Sequence, residues 1–130
     1  MVKNLIPLFS SRVQAGFPSP ADDFIEQDLD LNDYLIEHPA ATFFIRSIGR
    51  SMVLDGIFPD DILIVDRAKM VKNNDIVVAS LNGDFTVKRF CKTNQKVILK
   101  PSNPDFKDIF VNSEDDFQIW GVVTYVVHKP

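Results

Sequence analysis

Some residue types are scarce in this chain. Its 130 residues include one cysteine, Cys91, and two histidines, His38 and His128. A lone cysteine excludes an intrachain disulfide and a cysteine cage for zinc. Cys91 reads as a small half-buried residue at a strand end. The histidines lie far apart without carboxylates at metal-ligand spacing, so both read as surface residues, and no metal or cofactor is expected. A Ser-His-acid triad also lacks a convincing base. His38 sits beside Pro39 ahead of the first core strand, and His128 is two residues from the C-terminus.

Long apolar runs are absent too. Lys3, Leu5-Ile6-Pro7-Leu8-Phe9 and Val13-x-Ala15 superficially suggest an export signal. That run is five residues with a proline inside it, whereas such a signal needs about 7–15 apolar residues. Nothing approaches the roughly 20 residues of a membrane span. The expectation is a cytoplasmic protein without membrane contact. A basic excess is missing as well: net charge is −4, which lacks the electrostatic footprint of a nucleic-acid binder. The acidity is uneven, net −5 over residues 1–41 and net +1 over residues 42–130. A near-neutral body with an acidic front suits protein partners better than DNA.

The length argues for one domain with a real core. The 11 phenylalanines suggest β-rich aromatic packing. Pro7, Gly16, Pro18 and Pro20 forbid a continuous helix at the front, and "GFPSPADD" is a run of chain breakers. Asn32 to Glu37 can form one or two helical turns, ended by Pro39. Beyond them the pattern predicts strands at Thr42–Ile45, Ile62–Val65, Val97–Leu99 and Ile119–Val127, with a bend or bulge at Gly121. The clearest unit is "DIVVASLNGDFTVKRF", where Ile76–Leu81 and Phe85–Phe90 flank Asn82-Gly83, a pair suited to a type I′ hairpin turn. The expected architecture is mainly β, with an N-terminal arm over residues 1–41 and a β domain over residues 42–130.

Ser51 lies in "GRSMVLDG", between Gly49 and Gly56. A serine is a poor nucleophile unless a base stands within hydrogen-bond reach. A lysine can be that base when burial keeps it neutral. Of the nine lysines, most stand among polar neighbours, as in "RAKMVKNN" and "CKTNQK". Lys88 differs, lying inside a strand where Thr86, Lys88 and Phe90 share one side and Phe85, Val87 and Arg89 the other. Alternation alone leaves two readings. Lys88 is either an exposed side chain whose stem snorkels, which is the commoner case, or a dried amine. A lone Gly-x-Ser-Met likewise fits an ordinary turn.

Taken together these segments resemble the LexA/UmuD family of self-cleaving serine proteases, its UmuD branch above all. The resemblance runs over residues 7–127. It includes the arm "PLFSSRVQAGFPSPADDFIEQDLDLNDYLIEHP", then "GRSM", "DDILIVDRA", the hairpin "NNDIVVASLNGDFTVKRF" and the closing "SEDDFQIWGVVTYVV". It implies that family's β-fold, with Ser51 as nucleophile, Lys88 as neutral general base and Ala15-Gly16 as the scissile bond. A small residue followed by glycine lets backbone approach a narrow groove closely. Backbone N–H groups must hold the oxyanion; Ser51 is the first candidate, with Gly49 and Met52 beside it.

Two residues depart from the family pattern: Arg50 stands where many relatives are acidic, and Asp60 where glycine often precedes Asp61. Only 15 residues precede Gly16, too few for the DNA-binding unit of LexA-type repressors. The resemblance therefore implies UmuD-like activity in the SOS response. It implies a homodimer, self-cleavage stimulated by a RecA–single-stranded-DNA filament, and a shortened form that joins a UmuC-type translesion polymerase. The competing expectations are a non-catalytic dimeric β-domain binding a polymerase, which Arg50 keeps open, and a protease acting on other proteins.

Overall fold

The structure is a computed structural model describing residues 4–10, 12–13, 15–16 and 25–130. It falls into two compact units, Met1–Glu37 and His38–Pro130. Among the described residues no helix is long and apolar enough to cross a membrane.

In the first unit, β1 (Ile6–Phe9) pairs antiparallel with β2 (Ile25–Leu29), Ile6 opposite Leu29. This pairing was not legible in the sequence, because Pro7 and the acidic "IEQDL" argue against strands. Proline fits because a two-stranded ribbon leaves an outer edge on each strand, where a missing N–H costs no ladder bond. The predicted helical turns appear as α1 (Leu31–Leu35). The Asp30 carboxylate caps α1 by accepting the Asn32 N–H at 2.9 Å.

The second unit is built on β3 (Thr42–Arg46), β4 (Ile62–Asp66), β5 (Ile76–Leu81), β6 (Asp84–Thr93), β7 (Lys96–Lys100), β8 (Ile109–Val111) and β9 (Phe117–Val127). They form one antiparallel sheet in the order β3-β4-β9-β5-β6-β7-β8. All four strands expected beyond the hairpin are present, some a residue or two longer. The three-residue β8 escaped notice because "IFV" is too short to show a period. At the β5–β6 turn, Asn82 and Gly83 take φ of 52° and 89°, the left-handed pair that a type I′ turn requires.

The last strand in sequence inserts between β4 and β5, so β9 is central and carries apolar residues to both faces. One apolar cluster gathers Met52, Ile57, Leu63, Val65 and Val78. The other gathers Val77, Ala79, Phe90, Leu99 and Val122. Neighbours such as Val77 and Val78 enter different clusters, as a two-residue side-chain period demands.

The expected irregularity at Gly121 is real. Val78 pairs with Gly121 but Ala79 pairs with Ile119, so Trp120 bulges out of register. The glycine is needed because a Cβ there would lie 2.7 Å from Val65 Cγ1 and 2.9 Å from the Asp66 carbonyl oxygen. Gly121→Ala is therefore expected to cost about 1–3 kcal/mol by overpacking, read as a lower urea midpoint. An unchanged midpoint would show that β4 and β9 can separate freely.

Candidate active site

The loop joining β3 to β4 carries Ser51, and its neck is closed by two backbone bonds. Ser47 donates its N–H to the Asp61 carbonyl, and Asp60 donates its own to the Ser47 carbonyl, both at 2.8 Å. The turn that allows this puts Asp60 at φ 70°. The departure from glycine at this position therefore keeps glycine's geometry, which aspartate tolerates better than most side chains. Asp61 is buried and accepts the Phe58 N–H at 2.8 Å and a hydrogen bond with His128 Nδ1 at 2.6 Å. Burial pushes this carboxyl up, but Phe58 and His128 outweigh it and hold the net pKa below the ordinary value.

Inside the loop, Gly49 and Gly56 turn the chain at φ 81° and 82°. Between them Met52 is buried in the core cluster and Val53–Asp55 forms a 3₁₀ turn. Methionine thus plugs the loop into the core while the preceding serine stays half-exposed at the rim. A second strap crosses from the segment after β7. Ser102 donates its N–H to the Ser51 carbonyl at 2.8 Å, and Leu54 donates to the Ser102 carbonyl at 3.0 Å. Asn103 Nδ2 donates to the Arg50 carbonyl at 2.9 Å. An ion pair between Arg89 and Asp55, at 2.9 Å, ties the 3₁₀ turn to β6.

Lys88 arrives from the middle of β6, opposite Val77. It is buried, 9% exposed, which rejects the reading of a solvent-facing lysine. Its Nζ lies 2.8 Å from Ser51 Oγ, 2.8 Å from Thr86 Oγ1 and 3.1 Å from the Val87 carbonyl. Every partner is uncharged. Burial accordingly lowers the Lys88 pKa, with no carboxylate among the described residues acting to restore it. A neutral amine has two hydrogens and one lone pair. Thr86 and Val87 can take the hydrogens, leaving the lone pair for the Ser51 O–H.

Ser51 and Lys88 open into a cleft of about 240 Å³. Gly49, Ser51, Met52, Ile45, Phe85 and Lys88 are among its lining, which does not include Arg50. Among the described residues, the N–H groups of Gly49, Ser51 and Met52 have no acceptor. All three of these residues line the cleft. Ala15 and Gly16 lie in the first unit, exposed in a bend.

Both histidines lie at the surface, as expected, but each is paired with a buried carboxylate: His128 with Asp61, and His38 Nδ1 with Asp66 at 2.7 Å. Burial raises the Asp66 carboxyl, while His38 and the Ala68 N–H more than offset that, and its pKa ends below the ordinary value. Cys91 is half-buried within β6, as expected. Thr86, Ser102, Asn103 and the Arg89–Asp55 pair were not found by sequence reasoning. The Asn-Pro of "PSNPDF" marks a turn but says nothing of which loop it will touch.

Residues 7–124 match the Peptidase S24-like family. Protein SamA of Salmonella typhimurium is 45% identical over 98% of this chain and 89% of its own length. Protein ImpA of Escherichia coli is 47% identical over 95% of this chain and 83% of its own. The LexA repressor of Pseudomonas chlororaphis is 38% identical over 91% of this chain and 58% of its own.

The lowered Lys88 pKa has a stability consequence. Below its folded pKa, a charged amine is held away from water in the fold but not in the unfolded chain. That cost shrinks as pH rises and vanishes near the ordinary lysine value of about 10.4. Lys88→Met, similar in volume and uncharged, is expected to raise the thermal midpoint at pH 7, with the gain fading toward that value. A variant less stable at pH 7 would show that the amine is well solvated.

Proposed function

The chain belongs to the Peptidase S24-like family, among the UmuD-like members of the LexA/UmuD group, and from that premise we propose that it is a serine endopeptidase that cuts its own Ala15-Gly16 bond. The observation that carries this reading is the 2.8 Å contact between Ser51 Oγ and a buried lysine amine with only neutral partners. A structural lysine on a strand is normally exposed or paired with a carboxylate. An amine dried and aimed at a hydroxyl has the character of a general base.

In the proposed reaction, neutral Lys88 takes the Ser51 Oγ–H proton as Oγ bonds to the Ala15 carbonyl carbon. The carbonyl electrons move onto oxygen, where N–H groups at the rim of the cleft stabilise the negative charge. As the carbonyl re-forms, the Ala15–Gly16 C–N bond breaks and the Lys88 ammonium protonates the departing Gly16 amine. Lys88, neutral again, removes a proton from water, which attacks the acyl carbon. The Ser51 oxygen leaves, regains its proton, and residues 1–15 are released.

That fragment carries Lys3 and Arg12 and no acidic residue, so residues 16–130 keep a net charge of −6. On this reading the chain acts as a cytoplasmic homodimer whose cutting is stimulated by a RecA–single-stranded-DNA filament. The shortened form then serves a UmuC-type translesion polymerase in the SOS response.

Mass spectrometry of the purified chain at mildly alkaline pH tests the proposal. Two products, 1–15 and 16–130, are expected, and Ser51→Ala or Lys88→Ala should each slow their appearance by more than about a thousandfold. The wild-type rate should climb with pH and level off below the ordinary lysine value, since only the neutral amine is a base. A chain that stays intact even with an activated filament would instead mark a non-catalytic interaction module. Cutting that survives Ser51→Ala would mark a different nucleophile.

A further inference from the structure

An oxyanion donor works only if its peptide plane is held in the right orientation before the charge develops. In a trans peptide the C=O and the following N–H point in opposite directions. Whatever grips the Arg50 carbonyl therefore also sets the direction of the Ser51 N–H.

The loop's own Val53 N–H reaches this carbonyl only at 3.4 Å, so the firmer grip comes from a side chain far away in sequence. Asn103 Nδ2 donates to the Arg50 carbonyl at 2.9 Å, while Asn103 Oδ1 accepts the Asp105 N–H at 3.0 Å. The two contacts leave no ambiguity about which end of the amide is which. A carbonyl can only accept and an N–H can only donate. Neither Arg50 nor Asn103 lines the cleft, whereas Ser51 does. The Arg50 carbonyl is thus turned away from the cleft toward Asn103, and the Ser51 N–H, which has no acceptor among the described residues, faces the other way. The neighbouring Ser102 N–H holds the Ser51 carbonyl at 2.8 Å and so fixes the next peptide plane.

We propose that Asn103 is a positioning residue for peptide-bond cleavage at Ser51, orienting the Arg50–Ser51 peptide so that the Ser51 N–H meets the oxyanion. This rests on the self-cleavage reading and adds to it a residue that never touches the reacting atoms. Asn103→Asp isolates the effect. The carboxylate keeps the acceptor for the Asp105 N–H, and with it the local turn, but it cannot donate to Arg50 and repels that carbonyl.

The test compares wild type with Asn103→Asp in two assays. One is the self-cleavage rate across pH. The other is affinity for a peptide boronic acid spanning residues 12–15, with boron in place of the Ala15 carbonyl carbon. Ser51 Oγ adds to the boron, its proton passing to Lys88, and the resulting anionic tetrahedral centre needs the same donor as the reaction. The variant is expected to lose about tenfold or more in both rate and boronate affinity. Its thermal midpoint and the pH at which the rate is half-maximal should stay those of the wild type.

A rate and affinity within about twofold of wild type would overturn the assignment. So would a slower rate with unchanged boronate affinity, or a shifted pH profile, since either would place the effect in the dyad or in general loosening of the loop. Should the aspartate variant fail to fold, Asn103→Ala carries the same comparison. A wild type that neither cuts nor binds the boronate would instead overturn the underlying self-cleavage reading.

Discussion

The site depends on keeping an amine away from both water and countercharge. Lys88 is set in the middle of β6, where flanking strands exclude solvent, and its three partners are a serine hydroxyl, a threonine hydroxyl and a main-chain carbonyl. Any carboxylate within reach would restore the ammonium form and take away the lone pair. Full exposure would do the same. A side chain as costly to bury as lysine is tolerated because its nitrogen is hydrogen-bonded on every side, although its charge is not compensated.

Holding the serine against that amine is a separate task, spread over segments distant in sequence. A loop of this length would sample many conformations unless something removed that freedom. Here Met52 anchors it in the core, the Ser47–Asp60–Asp61 bonds close its neck, and Ser102 and Asn103 strap it from outside. The Arg89–Asp55 pair adds a link from the strand that also carries Lys88, so Ser51 and Lys88 share a frame. Asp61, at the neck, is itself held by the Phe58 N–H and by His128 near the end of the chain. Few of these contacts involve Ser51 Oγ or Lys88 Nζ, yet they set the distance between the two.

The sheet supplies the rigid base. β9 is wedged between β4 and β5 with its bulge at Trp120, and the bare Gly121 lets β4 close over it. That closure keeps β4 and β5 in one sheet, and with them the loop before β4 and the hairpin after β5.

The local features were legible because short-range physics decides them. Asn82-Gly83 prefers left-handed angles whatever surrounds it, "IVVASL" and "FTVKRF" are β-prone in any context, and Gly121 inside a strand announces an irregularity. The segments bearing Ser51 and Lys88 could be matched to family motifs before any geometry was known, and residues 7–124 do match a peptidase family. Other features depended on partners that sequence spacing does not reveal. Alternation could not say whether Lys88 faced solvent, since that depends on what covers β6. Nothing in "HP" or "VVHKP" showed that His38 and His128 would each seek a buried aspartate, and nothing in "PSNPDF" pointed to the Ser51 loop. A residue's own backbone preferences are written in its neighbours, but its burial and its charge state belong to contacts made across the fold. The sequence by itself therefore determined most strands of the larger sheet, its tight turn and the candidate pair. Only the tertiary structure decided that the pair meets, dry and at hydrogen-bond distance.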